Sequence, residues 1–400
     1  MRTVSQVSLS HGHPIVAIPG PSIIPARVLS AMHRPMPNIY EGELIETSLG
    51  ILDELPALAR TSGQVFVSVS NGHGAWEMAV TNTLSRGDKV LVLESGRFAA
   101  SWGEMAAVSG VEVEVLHAPA RRPVDPAAVE ARLAADRAHQ IAAILVVQID
   151  TASSVVNDIA AIRAAVDAAG HPALLMVDCI ASLGCVPYEM DGWGVDVTVS
   201  ATQKGLMVPP GLGFVWANAR ALDAHTRADL RTGYWDWTAR SEVGAHYRRY
   251  CGTPPVQHIY GLREALDMIG EEGLENAWAR HAVFGAAVRA AVEAWSVPDG
   301  LELFVTDPCA RSDAVTTVLT GDVDADRLRS VCEAGAGVTL GLALGTMDGL
   351  GFRIGHMGHL NPPMLLGTLG TIEAALGSMG APTGGSGVAA AAQVISTAMC

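Results

Sequence analysis

The 400-residue sequence has no run of eighteen apolar residues free of polar interruption, and its opening, Met1 to His13, lacks an apolar stretch behind a basic start. A membrane span and a secretory leader are therefore not expected, and the cytoplasm is the default compartment. Cysteine is sparse and unpatterned: Cys179, Cys185, Cys251, Cys309, Cys332 and Cys400 form no CxxC pair and no His/Cys metal spacing. Free thiols are expected rather than a disulfide frame, and no metal site. Positive charge is also short, with 26 Lys and Arg against 41 Asp and Glu and a formal net charge of −15. Basic residues adjoin only in isolated pairs such as Arg121-Arg122 and Arg248-Arg249. That pattern excludes a nucleic-acid surface, so any anionic ligand has to be held locally. There is no internal repeat.

What the chain does have is hydrophobic mass. At 49 % hydrophobic and 17 % charged it can bury a large core and is long enough for two domains. Short Val- and Ile-rich runs fall at Val65–Val69, Lys89–Leu93, Val111–Leu116, Ala142–Gln148, Ala173–Val177, Val195–Ser200 and Gly213–Trp216. Several are nearly continuous rather than alternating, as expected of strands covered on both faces. Helical stretches lie between them at Gly74–Leu84, Asp125–Ala135 and Asp158–Ala169, with Asp125-Pro126 and Asn157-Asp158 as cap-like starts and Gly170 as a stop. This alternation predicts an α/β domain around a mainly parallel sheet, which places ligands at the carboxyl ends of its strands.

Past Trp216 the pattern changes. A polar, aromatic stretch, Thr232–Tyr250, leads through Pro254-Pro255 to a helical region over 257–295. A smaller α/β unit follows, with apolar runs at Val315–Leu319, Val338–Leu342 and Phe352–His356 and helical segments at Asp324–Cys332 and Pro363–Leu376. A Gly/Pro/Ser-rich link, Pro382–Gly387, leads to an Ala-rich terminal helix, docked or frayed. The expected division is a large domain over 15–270, a small C-terminal domain over 271–380 and a tail over 381–400.

Three local signals carry chemistry. Lys204, in Ser200-Ala-Thr-Gln-Lys-Gly-Leu-Met-Val-Pro-Pro-Gly211, leaves a buried strand into a crowded, proline-bound turn. A desolvated lysine there has the lowered pKa that Schiff-base chemistry needs; a lysine at a loop mouth is the plain alternative. Asp178 ends the apolar run Ala173–Val177, where a carboxylate is costly unless a cation or donor meets it, or unless it caps the next turn. Ser70-Asn71-Gly72-His73-Gly74 turns from a strand into a helix, and backbone N–H groups at such a start suit a phosphate, although strand-to-helix turns use glycine for geometry alone.

Taken in order, these signals resemble the class V aminotransferases of pyridoxal-phosphate (PLP) fold type I, within the alanine/serine/aspartate–glyoxylate aminotransferase group. The resemblance extends to Ile18-Pro-Gly-Pro-Ser22, Asp178-Cys-Ile-Ala-Ser-Leu-Gly184, Tyr250-Cys-Gly-Thr-Pro254, Gly273-Leu-Glu-Asn-Ala-Trp278 and Phe352-Arg-Ile-Gly-His-Met-Gly358, and so covers nearly the whole chain. It implies a large domain with a mainly parallel seven-stranded sheet, a smaller C-terminal α/β domain, PLP as cofactor, and transamination between a small amino acid and a 2-oxo acid. By the same resemblance Lys204 carries the cofactor covalently and moves protons, and Asp178 meets the pyridine nitrogen. Asn71, Gly72 and His73 address the phosphate, with Gln203 a second phosphate or ring contact and Thr151 the hydroxyl on the phenolic oxygen. Ile180 and Phe98 would lie on the two ring faces. Tyr250 and Thr253 match residues that reach the neighbouring subunit's cofactor, which implies a homodimer with shared sites. Arg353 matches the receiver of the substrate α-carboxylate, and Gly20 and Tyr40 are expected beside the substrate.

One departure bears on specificity. Many glyoxylate aminotransferases carry a His-Arg pair where this chain has Ile39 and Tyr40, followed by Glu41 and Glu43. A dicarboxylic donor loses a counter-charge there, so serine or alanine is the expected donor and glyoxylate or pyruvate the acceptor. A lyase or desulfurase of the same fold would use the same lysine to cleave a different bond, and a desulfurase needs a mobile acceptor cysteine, for which Cys332 and Cys251 lack an evident flexible loop. A non-catalytic binding protein would not need Lys204, Asp178 and Arg353 together.

Overall fold

The structure, a computed structural model, describes residues 9–241 and 244–399; residues 1–8 and Cys400 lie outside them. Strand β1 (Ile15–Ala17) belongs to a second sheet. The seven apolar runs form β2 (Gln64–Ser70), β3 (Lys89–Glu94), β4 (Glu112–His117), β5 (Ile141–Val147), β8 (Leu174–Asp178), β9 (Val197–Ala201) and β10 (Gly211–Ala217), with a short hairpin, β6 (Ile149–Asp150) and β7 (Val155–Val156), after β5. They make one sheet in the order β2-β10-β9-β8-β5-β3-β4, in which only β10 runs antiparallel to its neighbours. The continuous apolar runs have the reason anticipated for them. Leu91, Ile144, Val146, Leu175 and Val177 face one hydrophobic core, while Val90, Val92, Leu145, Met176 and Val199 face another. Helices cover both faces, so both sets of alternate residues leave water.

Helix boundaries follow local chemistry. Asp125 and Asp158 accept backbone N–H groups of Ala127 and Ala161 at 3.0 and 2.9 Å and start helices Pro126–Ala135 and Ile159–Ala168. The helical region past Pro255 is two helices, Val256–Glu272 and Leu274–Trp295, separated at Gly273, whose φ of +85 interrupts the regular path.

The small sheet contains β11 (Glu302–Leu303), β12 (Val315–Leu319), β13 (Val338–Leu342) and β14 (Gly351–Gly355), in the order β1-β13-β14-β12-β11. Its first strand comes from the N-terminus: Ile15–Ala17 pair in parallel with Val338–Leu340. Residues 15–17 thus join the C-terminal unit by hydrogen bonding, although the sequence division counts them with the large one. A three-residue strand carries no periodic pattern that would reveal its partner.

The tail helix, Gly387–Ala398, is docked. Ala391 and Ile395 sit in the small-domain core with Trp295, and the helix packs so closely that a Cβ on Gly387 would lie within 2.5 Å of the Trp295 indole. Glu373 ties the helix start down, accepting from Trp295 Nε1 at 2.9 Å and from the Val388 amide at 3.1 Å. Ile395→Ala should therefore lower the unfolding free energy by about 2–4 kcal/mol. Urea denaturation followed by circular dichroism checks this, and a cost below about 0.5 kcal/mol would mean that the helix is not packed in solution.

Candidate active site

Because β2, β9, β8, β5 and β3 are parallel to one another, their carboxyl ends share one edge of the sheet, and the functional side chains collect there. Asn71 and Gly72 follow β2, Asp150 and Thr151 follow β5, Asp178 ends β8, and Lys204 lies three residues past β9. Gly72, His73, Phe98, Thr151, Asp178, Ile180, Gln203 and Lys204 line one cleft, together with Trp76, Val147, Ile149 and Ala181.

Lys204 is 9 % exposed. The turn that holds it is tied by Ser22, whose hydroxyl donates to the Lys204 carbonyl at 2.7 Å and whose amide donates to the Gln203 carbonyl at 2.9 Å. Its ammonium donates to the Pro19 carbonyl, and Gly20 passes so close that a Cβ there would lie within 2.6 Å of the lysine's terminal carbons and nitrogen. Gly20, with φ +110, is therefore needed both for its backbone and for the room it leaves. Burial and the positive charge of Arg353 bring the Lys204 pKa down to about 8. The chain has two lysines; Lys89 is near Glu112 at 4.0 Å on the sheet's rim, which leaves Lys204 as the buried one.

Asp178 is 3 % exposed and accepts from the Ile180 amide at 2.6 Å on one oxygen and from Trp76 Nε1 at 2.8 Å on the other. Burial outweighs these donors and raises its pKa to about 7. Ile180 lies over the turn between β2 and the helix that follows: a Cβ on Gly72 would run into its Cδ1. Asn71 has a role the sequence reading did not assign. Its side chain caps helix Gly72–Thr83, accepting from the His73 and Gly74 amides at 3.0 and 3.4 Å, two of the N–H groups expected to face an anion.

Arg353, on β14, is 8 % exposed and brings the small sheet to the cleft. Its Nη1 donates to the Thr151 carbonyl at 2.8 Å and its Nε to the Leu342 carbonyl at 2.7 Å, and burial brings its pKa down to about 10. Three expected residues stand apart. Tyr40 is 72 % exposed against the edge of Tyr247, and Thr253 is exposed. Tyr250 is buried, its phenol 2.5 Å from the Ser48 hydroxyl of its own chain.

Sequence reasoning missed Trp76 and Asp150. Asp150 is fully buried and accepts from the Phe98, Ala99 and Ala152 amides at 2.8, 3.1 and 2.9 Å, which locks the start of helix Arg97–Val108 to the loop of Thr151. The signal was available: like Asp178, it is a carboxylate that closes an apolar run.

A buried lysine of lowered pKa, a buried carboxylate and a buried arginine at the carboxyl edge of a mainly parallel sheet define an enzyme site suited to covalent amine chemistry on a carboxylate substrate. The family described as aminotransferase class-V matches residues 59–349. A serine–glyoxylate aminotransferase of Methylorubrum extorquens is 40 % identical over 94 % of this chain and 95 % of its own. An L-aspartate–glyoxylate aminotransferase of Paracoccus denitrificans is 39 % identical over 94 % of each. The structure of a ureidoglycine–glyoxylate aminotransferase of Bacillus subtilis superimposes with a TM-score of 0.88 at 25 % identity, covering 96 % of this chain and 98 % of that one. The chain belongs to the class-V aminotransferases, with the PLP fold type I architecture, and it is an aminotransferase.

The raised pKa of Asp178 has a measurable consequence in the protein free of any bound small molecule. An aspartate titrates near 3.9 when unfolded and here near 7, so the folded state binds the extra proton between these values, and Asp178 makes stability fall as pH rises from about 4 to 7. Asp178→Asn removes that dependence. The melting temperature of the variant relative to the unmodified protein should therefore be higher at pH 8 than at pH 5; an unchanged difference would show that Asp178 titrates normally.

Proposed function

We propose that this aminotransferase binds PLP at Lys204 and moves an amino group between a small amino acid, serine or alanine favoured, and glyoxylate or pyruvate. The observation that carries the reading is the meeting, in one cleft, of the buried lysine with a buried carboxylate whose oxygens are held by N–H donors rather than by a cation. PLP fits the residues present. Asp178 would meet a pyridinium, Gln203 Oε1 is buried with no hydrogen-bond partner among the described residues, and Gly20 and Gly72 let Lys204 and Ile180 lie against the backbone where a Cβ would displace them.

When bound, PLP supplies the electron sink that lets an amino group change carriers. The chain supplies the rest. With its pKa near 8, Lys204 Nζ is neutral in a useful fraction near neutral pH, so it can attack a carbonyl carbon and afterwards take up and return a proton. Phe98 and Ile180 would restrain the ring by packing, Thr151 and Gln203 would offer polar contacts to it, and Gly72 and His73, at the helix start that Asn71 caps, would hold the phosphate. Arg353, already oriented by two carbonyls, receives the α-carboxylate with its remaining N–H groups. Names of relatives include both serine and aspartate as donors. The missing basic pair at Ile39-Tyr40 favours serine here, because Glu43 pairs with Arg34 at 2.9 Å and leaves that cation engaged.

A desulfurase reading finds no thiol of the needed kind in the two cysteines considered for it. Cys332 is buried in the small-domain core with its pKa raised to about 11, and Cys251, exposed and donating to the Gly233 carbonyl at 3.4 Å, is not among the residues that line the cleft. We also propose a cytoplasmic homodimer in which exposed Thr253 and Tyr40 meet the partner's site; Tyr250, held by Ser48, would have to release that bond to do the same. The unpaired buried thiols Cys179, Cys185 and Cys332 suit a reducing compartment. Among the described residues no helix is long and apolar enough to cross a membrane.

Borohydride reduction in the presence of PLP, followed by peptide mass analysis, should place the cofactor on the Lys204 peptide, and Lys204→Ala should lose both this label and, by several orders of magnitude, turnover. Label on Lys89 alone would refute the assignment. Arg353→Lys should raise KM for serine, alanine and glyoxylate by about tenfold or more, since a paired-donor contact to a carboxylate is worth on the order of 1.5–3 kcal/mol. Single-turnover rates should rank serine and alanine above aspartate, and aspartate as the best donor would show that another cation governs the pocket.

A further inference from the structure

Trp76 is 1 % exposed and lies one helical turn from Gly72 on the helix that begins at the phosphate turn. Its ring is fixed by His73, with centroids 4.6 Å apart, and by Trp102, stacked at 5.9 Å and 13°. Held this way, it directs its single polar group, Nε1–H, to Asp178 Oδ2 at 2.8 Å, while the Ile180 amide meets Oδ1 at 2.6 Å. The carboxylate is thereby prevented from turning about its last bond.

We propose that Trp76 is a positioning residue for transamination, orienting the Asp178 carboxylate and favouring its charged form toward the pyridine nitrogen of the cofactor. One helix then serves both ends of PLP, its N-terminus at the phosphate and Trp76, one turn on, behind the ring nitrogen. The inference rests on the reading that Asp178 faces that nitrogen. Asp178 lies in the fields of Asp150, which disfavours its charge, and Lys204, which favours it, and beside the buried thiol of Cys179. Lys204 supports the carboxylate only while it is protonated and must be neutral to attack a carbonyl, whereas an indole N–H is a donor at every working pH, so its support does not depend on the state of Lys204.

The test is a double-mutant cycle on the protein stripped of cofactor. Trp76→Phe keeps a flat ring between His73 and Trp102 and removes the N–H. Two quantities are read: the titration of the Asp178 carboxyl by carbon NMR of labelled aspartate, and the dissociation constant of PLP by calorimetry. Trp76→Phe should raise the titration midpoint by about one pH unit and weaken PLP about tenfold, as expected for loss of one hydrogen bond to a charged group. In an Asp178→Asn background the same substitution should change PLP affinity by less than about twofold. Equal weakening in both backgrounds, or no weakening in either, would overturn the inference and leave Trp76 as packing. If Asp178→Asn itself leaves PLP affinity unchanged, the reading of Asp178 fails first, and this inference with it. Should Trp76→Phe fold poorly, 3-benzothienylalanine at position 76 preserves the bicyclic shape without the donor, and the cycle is read in the same way.

Discussion

Four ionisable side chains, Asp150, Asp178, Lys204 and Arg353, are each at least nine-tenths buried around one cleft, and everything else in the structure accommodates that arrangement. Burying charge is costly, and the usual remedy is a direct ion pair. Here each charge is held mainly by neutral dipoles: Asp150 by three amides, Asp178 by an amide and an indole, Lys204 by the Pro19 carbonyl, and Arg353 by two carbonyls. Direct pairing would bind each group to its neighbour and leave it unavailable. Dipoles hold the groups in place yet leave Lys204 with a pKa near 8, free to change protonation near neutral pH, and Asp178 near 7 in the protein without ligand.

The backbone that supplies these dipoles is itself unusual where it counts. Ser154 and Met207, neither of them glycine, adopt φ of +59 and +57 in the two loops that present Asp150 with Thr151 and Lys204. Tertiary contacts hold the first of these loops: Thr317 on β12 donates its amide to the Ser154 hydroxyl oxygen at 3.1 Å and its hydroxyl to the Ala152 carbonyl at 3.0 Å. With Arg353 reaching the Thr151 carbonyl from β14, the small sheet fastens to the large one through the very loop that lines the cleft. The substrate's expected carboxylate receiver and the cofactor's expected oxygen contact are thus joined by one hydrogen bond.

Much of the architecture was legible in the linear chain because it depends on local or periodic properties. Apolar runs predict buried parallel strands since a sheet covered on both faces has no polar side, and Asp125 and Asp158 mark helix starts because a side-chain oxygen two or three residues before an amide satisfies it. Lys204, Asp178 and Arg353 stand out for the same kind of reason, as charges in apolar or crowded surroundings. Asp150 obeys the rule that revealed Asp178, and the scarcity of lysine, two in 400 residues, also pointed to Lys204.

Tertiary structure decided what no period or spacing encodes. The partner of β1 is set by a strand more than 300 residues away, the donor on Asp178 comes from an indole 102 residues earlier, and the Tyr250 phenol is claimed by Ser48 across 202 residues. A sequence shows which groups are costly to bury, because that cost belongs to the residue and its immediate run. Which group meets that cost depends on the fold, since a single hydrogen bond requires two atoms to come within about 3 Å whatever their separation along the chain.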